Sequence, residues 1–231
     1  MYGWIVPPPR EPTKSSEELA QERAAKVQEL LLTGYLQSEL IQQALLKVPR
    51  EIFIPRLYQD YAYLEVPLPL PGERATISCP HSYPLFYEPL GLDRGHKFLE
   101  IGTGSGYGVA VAREVVGAEG LVVSIEIDPT TFEFAQRNLE RAGYDDILLV
   151  NSDGGRGYPE KKSFDRIAIT AACATVPPEL IEQLSPRGRL IAPLQREHTQ
   201  ELVLFERGLG GLRSRFICEV LYVPLRGVCG S

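Results

Sequence analysis

The stretch Lys97-Phe98-Leu99-Glu100-Ile101-Gly102-Thr103-Gly104-Ser105-Gly106-Tyr107 constrains the fold more than any other part of the chain. A short apolar run ends beside an acidic residue, breaks into three glycines at alternate positions, and gives way to a helix-forming segment at 109–116. A strand that runs through a tight turn into a helix N-terminus is the ligand-holding unit of open α/β sheets, because free backbone N–H groups and the helix dipole converge there. The spacing here is Glu-x-Gly-x-Gly-x-Gly, whereas the dinucleotide fingerprint is Gly-x-Gly-x-x-Gly. A carboxylate two residues before the first glycine suits a positively charged ligand better than a pyrophosphate.

Two further elements extend the signature. Residues 121–125 read as a buried strand, and Glu126 stands at its end, twenty-four residues after Gly102. An acidic side chain there can accept hydrogen bonds from both hydroxyls of an adenosine ribose. A third strand is expected at 147–150, followed by Asn151-Ser152-Asp153-Gly154. Alone, these residues describe a turn. Beside the other two elements, Asp153 can accept from an adenine amine while Gly154 lets the backbone approach the ring. S-adenosylmethionine, which carries a nucleoside, a sulfonium and an ammonium, satisfies all three elements.

Composition narrows the alternatives. The chain has 231 residues, 44% hydrophobic and 23% charged, the balance of a globular protein with ample core. A net charge of −6 argues against nucleic-acid binding, which needs a basic face. No apolar run approaches the ~18 residues of a membrane span. Residues 1–6 lack the features of a signal peptide, so a cytoplasmic protein is expected; a monomer is the default expectation. The four cysteines (Cys79, Cys173, Cys218, Cys229) are scattered, with no C-x-x-C and no histidine pair close in sequence. Reduced thiols and no metal site are therefore expected.

Residues 1–14, with Pro7-Pro8-Pro9 and Pro12, read as a loose extended tail. Ser15 and Glu18 form a capping-box signal for a helix that Gly34 ends. Ser38 opens a second helix with Leu40, Ile41, Ala44, Leu45 and Val48 on one face, stopped by Pro49. Residues 50–75 hold too many prolines for long regular elements and read as a structured connection. From 76 onward strands are expected at 98–101, 121–125, 147–150, 166–170 and 189–193, with helices at 107–116, 129–142 and 178–184. That alternation predicts a mostly parallel, doubly wound sheet. Two more strands at 200–206 and 216–223, joined at Gly208-Leu209-Gly210-Gly211, bring the strands to seven.

Over residues 48–227 the chain resembles the protein-L-isoaspartate O-methyltransferases, a family of class I, Rossmann-like methyltransferases. Besides the glycine motif, the resemblance rests on Pro49-Arg50-Glu51-Ile52-Phe53-Ile54-Pro55, Pro67-Leu68-Pro69, Ala75-Thr76-Ile77-Ser78, and Asp153-Gly154-x-x-Gly157-Tyr158-Pro159-Glu160. Gly188-Arg189-Leu190-Ile191-x-Pro193 and Tyr222-Val223-Pro224-Leu225 complete it. It implies methyl transfer from S-adenosylmethionine to the α-carboxylate of L-isoaspartyl residues in aged proteins and peptides, leaving S-adenosylhomocysteine. Ser78 would be the active-site residue, its hydroxyl orienting the acceptor. Thr76, Ile77, Ser78, Glu100, Gly102, Thr103, Gly104, Gly106, Glu126, Ile127, Ser152, Asp153 and Gly154 would bind the cofactor. Ala75, Ser78, Val223 and Leu225 would bind the substrate.

An acceptor already ionised at pH 7 needs no general base, which agrees with the dispersed His81, His96 and His198. Pro84, Pro89, Tyr83, Arg226 and Ser152 depart from the family pattern, and Pro89 should end or kink the helix expected after Ser78. These departures leave open a related methyltransferase with a small-molecule or special-peptide acceptor, or a cofactor-binding module without catalysis.

Overall fold

A computed structural model describes residues 6–160 and 163–227; the first five residues of the expected tail and Cys229 lie outside them. Helix α1 (Ser16–Leu32) begins as its capping box dictates, with the Glu18 amide donating to Ser15 Oγ (3.2 Å) and the Ser15 amide to Glu18 Oε2 (2.7 Å). Gly34, at φ 78°, turns the chain toward α2 (Glu39–Lys47), capped by Ser38.

Residues 6–14 are fastened down, which corrects the expectation of a loose tail. Asp60, buried at 2% exposure, accepts from the amides of Thr13 and Lys14 and pairs with Arg10 Nη2 at 3.1 Å. Burial opposes ionisation of that carboxyl, but these donors outweigh it and hold it below the usual range. A buried carboxylate needs such partners, and the extended segment supplies them.

The connection contains two 3₁₀ turns, Arg50–Phe53 and Arg56–Tyr61. It then forms a two-stranded antiparallel ribbon of β1 (Leu68–Pro69) and β2 (Thr76–Ile77), in register Leu68↔Ile77. This ribbon was hidden in the sequence by Pro67, Pro69 and Pro71. Proline is tolerated because the pair is short and edge-like. Helix α3 (Ser82–Leu90) accommodates Pro84 in its first turn, where the missing N–H has no helical acceptor, and ends one residue after Pro89 at Gly91.

The main sheet comprises β3 (Lys97–Ile101), β4 (Leu121–Glu126), β5 (Leu148–Asn151), β6 (Phe164–Ile169), β7 (Leu184–Gln195), β8 (Gln200–Gly208) and β9 (Gly211–Val220). Their order is β5-β4-β3-β6-β7-β8-β9, with parallel pairs from β5 to β7 and antiparallel pairs thereafter. Helices α4 (Tyr107–Val116), α5 (Pro129–Ala142) and α6 (Pro178–Glu182) make the crossovers.

Side-chain alternation sets the layers. Phe98 and Val122 share a core with Leu30 of α1, Ile41 of α2, Leu90 of α3, Val109 of α4 and Leu139 of α5. Leu99, Ile101 and Val123 face the opposite side, covered by Leu180 of α6 and Leu225. Residues 15–75 and 76–227 thus pack around a common core.

Several boundaries differ from the sequence reading, most of all around β7 and β9. The helix expected to reach residue 184 ends at Glu182, and β7 starts at Leu184 rather than 189. Leu184 pairs with Phe164 before a register shift, and Arg187, at φ 65°, absorbs the irregularity. Strand β9 runs from Gly211 to Val220 instead of 216–223. The Gln200 side chain explains its end, accepting from the Tyr222 amide (2.6 Å) and donating to the Tyr222 carbonyl (3.1 Å). That bracket steers Val223 and Leu225 out of the ladder and toward the ends of β3 and β6. The order of the parallel strands reverses between β3 and β6, and in open α/β sheets ligands bind at such a reversal.

Candidate active site

A cleft of about 310 Å³ opens there, walled by the ends of β3, β4 and β6, residues 73–78, and residues 222–226. The glycine turn forms its floor, and its glycines do separate jobs. A side chain on Gly102 would meet Thr170 Oγ1 at 2.6 Å, and that hydroxyl donates to the Gly102 carbonyl at 2.7 Å. Gly104 has ordinary space around it, and its amide donates to Glu126 Oε2 at 3.0 Å. Gly106, at φ 88°, lies outside the cleft. A Cβ there would come within 3.1 Å of Leu139 and 3.3 Å of the Ala135 carbonyl, so this glycine lets α4 pack closely on α5.

Glu100 and Glu126 are both buried and both line the cleft. Burial pushes the Glu100 carboxyl up to about 8, against the hydrogen bond from Ser124 Oγ (3.1 Å) and with help from the Glu126 charge. Burial also raises Glu126, although its oxygens accept the amides of Gly104 and Asp128, each at 3.0 Å. Each carboxylate oxygen has two lone-pair sites, so Glu126 retains capacity for ligand hydroxyls. Gly108, unnoticed in the sequence, makes room for this arrangement, since a Cβ there would lie 2.7 Å from Glu100 Oε1.

Ribbon β1–β2 delivers Ala75, Thr76, Ile77 and Ser78 to the cleft wall. The sequence reading missed what holds the end of this loop. Arg50, 1% exposed, donates through Nη2 to the Ser78 carbonyl (2.6 Å) and through Nε to the Ala62 carbonyl (2.7 Å). Its guanidinium also lies over the rings of Tyr83 (5.6 Å) and Tyr107 (5.2 Å), stacking that Lys could not reproduce. Opposite, the Leu225 amide donates to the Ala172 carbonyl (2.7 Å) and the Ala172 amide to the Val223 carbonyl (2.8 Å), fixing the second wall. Arg226 pairs with Asp128 (3.1 Å) and Glu73 (3.3 Å), fastening that wall to the end of β4 and to the loop before β2.

Thr103, Ile127 and Gly154 line the cleft as expected, whereas Ser152 and Asp153 do not. Ser152 is exposed, its amide donating to the Glu126 carbonyl (3.1 Å). Asp153 caps the following turn through the Gly155 amide (2.9 Å), and a Cβ on Gly227 would lie 2.3 Å from its Oδ1. The segment after β9 therefore packs against the carboxylate assigned to an adenine amine. None of the three histidines lines the cleft. What the cleft can do is bind a cationic nucleoside on buried carboxylates and present a hydroxyl to a second ligand.

Comparison with known proteins points the same way. The sequence model of the Protein-L-isoaspartate(D-aspartate) O-methyltransferase (PCMT) family matches residues 21–229. The Protein-L-isoaspartate O-methyltransferase of Hyperthermus butylicus is 42% identical over 227 residues, covering 94% of each chain. That of Methanopyrus kandleri is 42% identical over 207 residues, covering 89% of this chain and 91% of its own. A solved protein-L-isoaspartate O-methyltransferase superposes with a TM-score of 0.83 at 35% identity, covering 90% of this chain and 67% of that one. A Plasmodium falciparum structure solved with S-adenosyl-L-homocysteine shares the fold, with a TM-score of 0.79 at 22% identity over 88% of this chain and 98% of that one.

Proposed function

Because this chain belongs to the protein-L-isoaspartate(D-aspartate) O-methyltransferase family, we propose that its cleft methylates the α-carboxylate of L-isoaspartyl residues in proteins and peptides. The observation that carries this reading is the meeting, in one cleft, of the buried carboxylates of Glu100 and Glu126 with the Ser78 loop. S-adenosylmethionine supplies an electrophilic methyl group on a sulfonium. The residues present fit it. Glu100 is a buried carboxyl that, among the described residues, accepts a hydrogen bond from Ser124 alone, and a neighbouring cation would favour its ionised form. Glu126, Gly104 and Ile127 would hold the nucleoside.

The protein's contribution to the reaction is positioning. An acceptor carboxylate is ionised at neutral pH, so no side chain has to remove a proton. Ser78, fixed through its carbonyl by Arg50, would donate its hydroxyl hydrogen to one acceptor oxygen and leave the other to attack in line. Ala75 and Thr76 on one wall and Val223 and Leu225 on the other would hold the peptide backbone around the acceptor. The ester then closes to a succinimide as the neighbouring amide nitrogen attacks and methanol leaves, a step that starts repair without further enzyme.

The acidic balance and the absence, among the described residues, of a helix long and apolar enough to cross a membrane support a protein that acts on other proteins rather than nucleic acid or lipid. We assign it to the cytoplasm, with thiols at Cys79 and Cys218. The test is transfer of labelled methyl to an isoaspartyl peptide and to its aspartyl twin. Base-labile label on the first alone supports the reading. Label on both, or on neither, overturns it.

A further inference from the structure

The loop that presents Ser78 also carries donors that methyl transfer does not use. Glu65, Cys79 and His81 each bring a potential ligand atom to within 4.8 Å of the others. His81 Nδ1 lies 2.7 Å from Glu65 Oε2. The other oxygen, Oε1, is buried and faces the Lys26 ammonium at 3.3 Å. We propose that Glu65, Cys79 and His81 form a binding site for a borderline-soft divalent cation, zinc by its donor set, with water as the fourth ligand.

The donors are those of an open zinc site, in which three protein ligands leave one position to solvent. Thiolate and imidazole select zinc over magnesium or calcium, which take oxygen ligands. The loop is held in shape, since Pro80 and His81 form a turn closed by the Ser82 amide on the Cys79 carbonyl (3.0 Å). Tyr35 lies 5.1 Å from the His81 ring and restricts its orientation. Lys26, itself held by Glu29 at 2.7 Å, pairs with Oε1 and leaves Oε2 toward the imidazole, as an outer partner of a metal-bound carboxylate does. The side chains of His81 and Glu65 are 27% and 32% exposed, so an ion and a water can reach them.

Charge and proton balance follow. Zinc displaces the thiol proton of Cys79, so that thiolate and carboxylate together neutralise the dication, and the imidazole coordinates through a nitrogen without its proton. Lys26 and Arg50 repel a cation but favour the thiolate they face. The thiol proton therefore leaves as the ion binds.

The test titrates the full-length, metal-stripped protein with Zn²⁺ against a chromogenic chelator, and in parallel with Co²⁺. One ion per chain and a near-ultraviolet sulfur-to-cobalt charge-transfer band are expected. Cys79→Ser should abolish the band and weaken zinc by more than the ~10–100-fold that losing an outer partner costs, whereas Cys218→Ser should change neither. Failure of the wild-type protein to compete for zinc, or absence of the cobalt band, overturns the proposal without recourse to any variant. A band that survives Cys79→Ser overturns it as well.

Discussion

Glu100 links cofactor binding to pH at a single residue. Its carboxyl is raised from 4.5 to about 8 in the ligand-free protein, chiefly by burial. Between those values the folded chain holds a proton that the unfolded chain has released, so stability falls as pH rises through the window, by at most ~1.4 kcal/mol per pH unit. A cationic ligand reverses the preference, and binding should expel the proton. S-adenosylhomocysteine, whose ammonium remains, should bind more tightly as pH rises from about 6 to 8, and calorimetry in buffers of different ionisation enthalpy should detect proton release. Glu100→Gln should flatten both profiles. Glu126→Ala should weaken binding by about 1.5–3 kcal/mol, the worth of hydrogen bonds to a charged acceptor. Ser78→Ala should lower turnover and leave cofactor affinity nearly unchanged, because its hydroxyl is assigned to the acceptor. Equal losses in both quantities would remove Ser78 from that role.

At the scale of elements, Asp128 performs two tasks that can be separated. Its Oδ1 accepts the Thr131 amide at 2.9 Å and starts α5, while Oδ2 pairs with Arg226 on the segment after β9. The Thr131 amide, more than the Arg226 charge, holds this carboxyl below its usual range. Asp128→Ala should cost the ~0.5–2 kcal/mol of a lost helix cap, read as a lower urea midpoint. Arg226→Ala leaves the cap intact and the exposed half of the pair contributes little stability, so its urea midpoint should hold while S-adenosylhomocysteine dissociates faster from a wall no longer fastened to Asp128. If the two variants lose stability equally, the division of labour is wrong.

Across the whole molecule, one core joins α1 and α2 to the sheet that carries the site. Ligand binding at the sheet should therefore stabilise the chain as a unit. With S-adenosylhomocysteine at ~100 times its Kd, mass action adds about 2.7 kcal/mol, which for a chain of this size raises Tm by roughly 5–11 °C. Differential scanning calorimetry should show a single shifted transition. An N-terminal unit melting separately, unaffected by ligand, would contradict the shared core.

Local chemistry sufficed to read much of this from the sequence. The Ser15–Glu18 cap, the Ser38 start of α2, and the strand–turn–helix at 97–107 each place their determinants within a few residues of one another. The carboxylates at the ends of β3 and β4 were legible for the same reason, since parallel strands bring their ends to one edge. Jobs set by long-range packing were not. Gly106 packs against α5, Asp153 faces Gly227, and Arg50 reaches a carbonyl 28 residues away, so no local pattern records them. Ribbon β1–β2 and the early start of β7 were obscured because tertiary pairing overrode proline and glycine signals. Cys79 and His81 carry no metal-binding spacing in the sequence. Only the fold brings Glu65, sixteen residues from His81, into contact with the imidazole, because the intervening ribbon doubles the chain back on itself.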